Sequence, residues 1–600
     1  MELKQEENGK KRVRKRIAAG VLAGILAVAG GIGIKAALDH KNAALETARL
    51  ERNRENLAKA AEAESEKIMD YSVESGIRVF ETIKKRPAMV DLPEEHSENF
   101  ITIESCLVDN RTSNISLEFS TEGIPKSDDD YYYLFALRAY MDGVNQDMTP
   151  SHVEYKAENT KMMFSHHFGM VSGMLYKYVV AVKEDGRYVV VSNPCYVTNP
   201  EEIAVYKSNG ESPSSKKGLL VAPDKIQSSE LEDLGVKHAA YNIQMSRILE
   251  LSEDSEYPPV SYTYNGKDYL FDGQVMAEYD MVFSTLTEKG IEITAILLND
   301  VSATYPEMIH PLARSGIGNA PYYAFNAAEE EGMDYLAAIT TFLSERYSGK
   351  ANGRGVIANW VIGNEINARK QWNYMRQVDL ETYVREYVKA FRICYSSIKS
   401  VNSACRVYIP LDQQWNNNAG STGNYNAKDI LDEFNRQIRK EGNIDWGLAI
   451  HPYNVPLDSP YIWKDSVHVQ ESEETPMVTM ANIDVVTDYL QQEEFLTADG
   501  EVRSVILSEL GYTSLQGEEL QAAAIVYAYK KTEENPHIDS VLFSRQTDAE
   551  EEMEDGLALG INHLDGTPKY VYKVFKYMDT PEEKKYTDFA KEIIGISEWF

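Results

Sequence analysis

Eight times between residue 218 and the C-terminus, a short apolar run is followed by a stretch with helical spacing. No other feature limits the fold so tightly. The runs are "GLLVA" (218–222), "GVKHAAYNI" (235–243), "IEITAILLN" (291–299), "GVIANWVIGNE" (355–365), "CRVYIPLD" (405–412), "IDWGLAIHPYN" (444–454), "SVILSELGY" (504–512) and "DSVLFSRQTD" (539–548). Helical patterns lie between and after them, among them 277–290, 335–347, 380–400, 522–532 and 570–578. Parallel strands cannot be joined by a tight turn and need a crossover, usually a helix. Eight strand-then-helix units in the segment 218–600 therefore predict an α/β fold with a closed (β/α)8 barrel. A doubly wound open sheet is the alternative, but no Gly-rich phosphate turn follows the first strand to support it.

Loop lengths point to one working face. The helix-to-strand connections are short: "EKGIE", "SVNSACR", "RKEGNID" and "EENPHID". The strand-to-helix connections are long, about thirty residues after the third strand, with "LDQQWNNNAGSTGNYN" after the fifth and "HPYNVPLDSPYIWKDSVHVQES" after the sixth. Long loops without secondary structure are usually functional. All of these fall at the strand C-terminal ends, where barrels of this kind place their chemistry. An insertion, "YTYNGKDYLF" (262–271), reads as a hairpin turning on Asn265-Gly266 on that same face.

Two of the runs end in a carboxylate. Glu365 leaves the fourth strand, preceded by Asn364, and Glu509 leaves the seventh. A closed barrel brings both to one mouth. A single Glu at a strand end is usually a solvated charge or a cap; a pair at the fourth and seventh exits is a candidate for acid/base and nucleophilic work. Carboxyl groups about 5–5.5 Å apart suit retaining glycoside hydrolysis, and about 6.5–9.5 Å suits inversion. Near them, Trp372, Trp415 and Trp463 fall in post-strand loops, where flat rings can stack on sugars. Asn242, Asn299, Asp412 and Gln413 end the second, third and fifth strands and can bond hydroxyls or cap loops. Tyr453 and Arg545 are candidate donors to keep Glu509 ionised.

On these residues the segment 218–600 resembles the superfamily of (β/α)8-barrel retaining glycoside hydrolases that includes cellulases, mannanases and β-galactosidases. That superfamily carries an Asn-Glu acid/base at the end of strand four and a nucleophilic Glu at the end of strand seven. The resemblance implies that Glu365 is the general acid/base, Glu509 the nucleophile and Asn364 the ligand of the sugar 2-hydroxyl. "HPYN" (451–454) resembles the His-x-Tyr that many members set beside the nucleophile, which implicates His451 and Tyr453. The sequence departs from the pattern at Ile366, where Pro is usual, and at "SRQTD" (544–548), where many members have Trp. The expected function is hydrolysis of a polysaccharide or oligosaccharide. The alternative is an inactive barrel that binds glycans or wall material.

The N-terminal third is built differently. Residues 1–16 hold seven Lys or Arg, and residues 17–34 run without a charge. A stretch of that length can just cross roughly 30 Å of hydrocarbon as a helix, with the basic end held in the cytoplasm. A transmembrane signal anchor over 17–38 is expected, with a cleaved signal peptide ending near "AVA" (27–29) as the alternative. Residues 39–75, rich in Ala, Glu, Lys and Arg, read as a helical stalk. Residues 97–200 alternate Tyr-, Val- and Phe-rich runs with turn residues and predict a β-sandwich-like domain. This places everything after about residue 40 outside the cytoplasm.

Charge and cysteines bound the partners. A formal charge of −33 argues against nucleic acid. Four cysteines make no disulfide framework; Cys106 and Cys195 could bridge the outer strands of the β domain, but free buried thiols are expected. Glu365, Asp412, His451 and Glu509 could in principle surround a divalent ion. No His-x-His or His-Glu-x-x-His element accompanies them, so neither a metal nor a cofactor is expected.

Overall fold

A computed structural model describes the strand Met89–Asp91 and residues 100–600, apart from 113, 166–172, 211, 253–254, 301–304, 315–319 and 419–422. The basic segment, the expected anchor and the stalk lie outside the described residues. Among the described residues, no helix is long and apolar enough to cross a membrane.

The eight apolar runs form a closed ring of parallel strands: β1 Lys217–Leu220, β2 His238–Gln244, β3 Glu292–Leu298, β4 Ile357–Ile362, β5 Arg406–Asp412, β6 Trp446–His451, β7 Val505–Leu510 and β8 Ile538–Phe543. The ring closes where Gly218 of β1 pairs with Leu542 of β8. Each strand is followed by a helix, in order α1 Glu230–Asp233, α2 Gly273–Glu288, α3 Glu330–Arg346, α4 Leu380–Val401, α5 Ala427–Lys440, α6 Asp484–Tyr489, α7 Glu518–Glu534 and α8 Tyr570–Tyr577; a ninth, α9 Glu583–Ile594, ends the chain. β4 and β6 are buried along their whole length, and β5 from its second residue on, because helices cover them outside and the barrel interior fills them inside. That interior is a small plug of side chains, with Ala240, Ile296, Leu298, Val361, Tyr408, Ala449, Ile506 and Leu542 in mutual contact. A filled interior leaves only the rim for binding.

Local signals set the helix starts. Asp272 accepts from the Val275 amide at 2.8 Å to open α2, and Asp379 does the same for Thr382 at 2.8 Å to open α4. These caps satisfy donors that a helix end otherwise leaves bare. The hairpin after β2 pairs Val260–Tyr264 with Lys267–Phe271, and Asn265 and Gly266 both take positive φ, 49° and 76°. That is the turn an Asn-Gly pair favours.

Before the barrel, two antiparallel sheets face each other. One holds Thr102–Asp109, Asn114–Ser120 and Asn159–Ser165. The other holds Tyr131–Leu137, His152–Tyr155, Lys177–Glu184, Arg187–Val190 and Cys195–Tyr196. Ile115, Leu117 and Met162 of the first pack in one cluster with Tyr132, Leu134 and Val180 of the second. This sandwich sits on the barrel through α4 and α5. Asn193 donates to the Lys440 carbonyl at 3.0 Å, and Arg392 of α4 lies 4.7 Å from the ring centre of Tyr196. Sandwich and barrel thus form one compact unit. Cys106 and Cys195 are free thiols, buried beside each other in the sandwich rather than bonded.

Candidate active site

β4 ends at Ile362 and the chain turns sharply: Gly363 has φ 92° and Glu365 has φ 38°. For a residue with a side chain this left-handed conformation costs of the order of 1–3 kcal/mol and persists only under constraint. The constraint comes from β5. The Ile366 amide donates to the Pro410 carbonyl at 3.1 Å, and Tyr383 of α4 donates to the Ile366 carbonyl at 2.6 Å. Asn367 and Asp412 bond reciprocally: Asn367 Nδ2 donates to Asp412 Oδ1 at 2.5 Å, and the Asp412 amide donates to Asn367 Oδ1 at 3.0 Å. The turn thereby holds Glu365 over the barrel mouth, its side chain 13% exposed.

β6 supplies the next layer. His451, its last residue, is buried and places Nδ1 2.8 Å from Glu365 Oε1. Two residues on, the Tyr453 hydroxyl donates to Glu509 Oε1 at 2.8 Å. Glu509 lies within β7, half-buried. Three consecutive residues at the β6 exit, 451–453, therefore bond both carboxylates, Glu365 through the histidine and Glu509 through the tyrosine.

The electrostatics follow from burial in a cluster of acids. Burial disfavours the His451 imidazolium, but the hydrogen bond to Glu365 and the charges of Glu509, Glu365 and Asp412 outweigh it, so its pKa stands above the ordinary histidine value. Asp412 is pushed up to about 7, chiefly by burial and next by the charge of Glu365; its bonds to Asn367 and the Gln414 amide act in the opposite sense. Burial, then Glu509, holds the Tyr453 hydroxyl well above the tyrosine range, so it donates and does not ionise.

The loops after β3 and β4 bring two aromatic rings together. They are laced to each other, with the Tyr374 amide donating to the Tyr322 carbonyl at 2.9 Å. That lacing sets the rings of Tyr322 and Trp372 5.9 Å apart. Burial, then Asp300 and Glu509, raises the Tyr322 hydroxyl, so this tyrosine reaches the site's charge. Tyr322 and Asn367 carry no motif that sequence reading could use; loop pairing and turn geometry bring them in. Between β8, β1 and β2 a cavity of about 340 Å³ opens, lined by Asn242, Gln244, Arg247 and Arg545 among others.

The remaining sequence candidates fall in different places. Asn364 and Gln413 are half-exposed at the mouth, with no side-chain hydrogen bond among the described residues. Trp463 is half-buried against Tyr461, ring centres 5.8 Å apart. Four assignments change. Trp415 is fully buried, edge-on to Tyr489 and donating to the Glu473 carbonyl at 3.1 Å, so it is core rather than a sugar platform. Asn299 is buried and donates to the Met308 and Ala324 carbonyls, which makes it a strut of the β3 loop. Asp412 is turned into the β4 exit instead of toward a ligand. Arg545 pairs with Glu552, not with Glu509. His451 also differs in partner from the expected pattern, since it bonds Glu365 while Tyr453 bonds Glu509. Among the described residues no cluster of His, Cys, Asp and Glu has the arrangement to hold a metal ion.

The structure is thus a closed parallel barrel with two bonded carboxylates at its C-terminal mouth. The chain belongs to the family DUF5722, described as a family of unknown function, whose model matches residues 209–600. No curated protein matches it. Among solved structures, a family 39 glycoside hydrolase from the gut symbiont Bacteroides cellulosilyticus is 15% identical, over 80% of this chain and 83% of that one, with TM-score 0.41. A β-glucosidase mutant derived from a hyperthermophilic tetramer is 13% identical, over 62% and 88%, with TM-score 0.41. A calcium-binding mutant of Bacteroides uniformis β-glucuronidase 2 is 11% identical, over 81% and 50%, with TM-score 0.36. Likeness at this level leaves the chemistry to be read from the site.

Proposed function

We propose that the protein is a retaining glycoside hydrolase acting on a poly- or oligosaccharide. The observation that carries this reading is the pairing of the two carboxylates with one segment at the β6 exit: Glu365 with His451 at 2.8 Å and Glu509 with Tyr453 at 2.8 Å. In the proposed cycle, Glu509 attacks the anomeric carbon while Glu365 gives its proton to the departing glycosidic oxygen. The C–O bond to the leaving sugar breaks as the bond to Glu509 forms. Glu365, now a carboxylate, takes a proton from water, whose oxygen displaces Glu509 and restores both groups. Tyr453 fits the nucleophile's need for a donor, and His451 fits the acid/base's need for a group that fixes its orientation. The free amide of Asn364 supports a bond to the sugar 2-hydroxyl, and the Tyr322–Trp372 pair supports stacking on a ring face.

The basic residues 1–16 and the uncharged run that follows support tethering to a membrane, with the barrel outside the cytoplasm.

The test is a panel of 4-nitrophenyl glycosides and plant, bacterial and host polysaccharides, run on the wild type, Glu365→Ala and Glu509→Ala. Wild-type turnover, lost in both variants, is the expected result. Sodium azide then restores activity to each variant, with a glycosyl azide of retained configuration from Glu365→Ala and of inverted configuration from Glu509→Ala. Turnover by Glu509→Ala equal to wild type overturns the reading, as does a wild type inert across the whole panel.

A further inference from the structure

We infer that the cavity between β8, β1 and β2 is a subsite for an acidic sugar, in which Arg247 and Arg545 receive a carboxylate or sulfate carried by the ring beside the nucleophile. The inference rests on the glycosidase reading above and deepens it by naming a class of substrate.

The backbone sets the position. The Ser544 amide donates to the Leu510 carbonyl of β7 at 2.7 Å, and the Gln546 amide donates to the Leu220 carbonyl of β1 at 3.1 Å. Arg545, between them, is thereby fixed one strand away from Glu509, the residue before Leu510. From there the cavity extends to Asn242, Gln244 and Arg247, at and beyond the end of β2. Its volume of about 340 Å³ is that of a small-ligand site, for which about 300–1,000 Å³ is usual.

The side chains set the chemistry. The chain has 94 Asp and Glu against 61 Lys and Arg. Among the described residues that line this cavity there are nevertheless two arginines and no aspartate or glutamate. Each arginine is braced from behind by a carboxylate outside the lining. Glu278 of α2 accepts from Arg247 Nη2 at 2.8 Å and from the Tyr241 hydroxyl at 3.1 Å, and Glu552 accepts from Arg545 Nη2. A guanidinium carries several N–H donors in a fixed fork, and each of these bonds takes a single nitrogen. Arg545 Nε is buried with no acceptor, and Thr547 Oγ1 on the same wall is buried without a partner. Leaving such groups bare is unfavourable, and an incoming oxyanion supplies acceptors. The amides of Asn242 and Gln244, which make no side-chain hydrogen bond among the described residues, can meet ring hydroxyls. Hydroxyls alone would give ordinary hydrogen bonds. A carboxylate or sulfate gives charge-assisted, bidentate ones, roughly twice as strong.

The experiment compares sugars that differ at one substituent. 4-Nitrophenyl β-D-glucuronide is set against the β-D-glucoside and its 6-sulfate, and the β-D-galacturonide against the β-D-galactoside, on the wild type, Arg247→Gln and Arg545→Gln. The wild type is expected to prefer an acidic member, and the ratio of acidic to neutral kcat/KM should fall roughly ten- to a hundredfold in each variant. Whether uronides or the sulfate lead tells which anion the arginines read. A calorimetric arm titrates the free sugars D-glucuronate, D-galacturonate and D-glucose 6-sulfate against D-glucose and D-galactose. The acidic sugars should bind more tightly, sodium chloride should weaken them, and both variants should lose the difference. Arg247, with 41% of its side chain exposed, gives the variant that serves if Arg545→Gln does not fold. A wild type that takes neutral members as readily as acidic ones overturns the inference, as does an acidic preference unmoved by both substitutions. Calorimetry needs no turnover, so acidic sugars bound by an inert wild type count against the glycosidase reading and leave this one standing. Turnover of neutral members alone does the reverse, and neither binding nor turnover of any member overturns both.

Discussion

His451 Nδ1 and Glu365 Oε1 lie 2.8 Å apart, with the histidine buried and the glutamate reaching the mouth. The folded His451 has a raised pKa, because its hydrogen bond to Glu365 and three nearby carboxylates outweigh burial. A raised folded-state value means stabilisation that is complete below the unfolded histidine pKa, about 6.5, and lost as pH rises through the folded value. His451→Gln should therefore melt well below wild type at about pH 5.5, with the gap closing on the alkaline side. Thermal melts across that range check it. A gap that widens with pH would show that the imidazolium form contributes nothing.

Tyr453 offers its hydroxyl to Glu509 from a ring that is itself packed and buried. Tyr453→Phe keeps the ring and removes one hydrogen bond to a charged acceptor, worth about 1.5–3 kcal/mol. The expected loss in kcat/KM is roughly ten- to a hundredfold, with a melting temperature close to wild type. Steady-state kinetics on any substrate the panel identifies, beside a thermal melt, separate the two effects.

Two tryptophans from neighbouring loops should behave oppositely. Trp415 is buried against Tyr489, so Trp415→Ala leaves a cavity and should cost about 3–5 kcal/mol of stability. Trp372 is half-buried beside Tyr322 at the mouth, so Trp372→Ala should raise KM several-fold and barely shift the denaturant midpoint. Urea melts and KM values on the same pair of variants settle which ring faces a ligand.

The contrast between these rings shows what a sequence carries. All eight barrel strands were legible, because parallel strands buried on both sides must be continuous apolar runs and helices must alternate with them. Glu365 and Glu509 were legible as well, since each interrupts such a run at its exit. Trp415 was not: its loop folds back under α6, and only the packing of Tyr489 and the Glu473 carbonyl decides that the ring points inward. Asn299 and Asp412 sit at strand ends just as binding residues would, and only their partners reveal them as ties between loops. Arg545 stands next to β8 as a donor to Glu509 would, but Glu552 follows seven residues later and captures it. Neighbours far apart along the chain set side-chain direction, and no spacing rule encodes them.

After β8 the chain holds a buried ion pair. Lys569 Nζ lies 2.7 Å from Asp548 Oδ1, with neither side chain exposed by more than 2%. The same aspartate oxygen accepts from the Gly560 amide at 2.7 Å, and the lysine donates to the Ala558 carbonyl at 3.1 Å. Together they close the loop after β8. Removing one partner strands the other charge in a dry setting, which costs about 3–5 kcal/mol. Lys569→Met should therefore lose that much stability by urea titration. Lys569→Met combined with Asp548→Asn should recover a good part of it, because no charge is then left unpaired. If the double variant is no better than Lys569→Met alone, the pair matters through its hydrogen bonds to Gly560 and Ala558 and not through its charge.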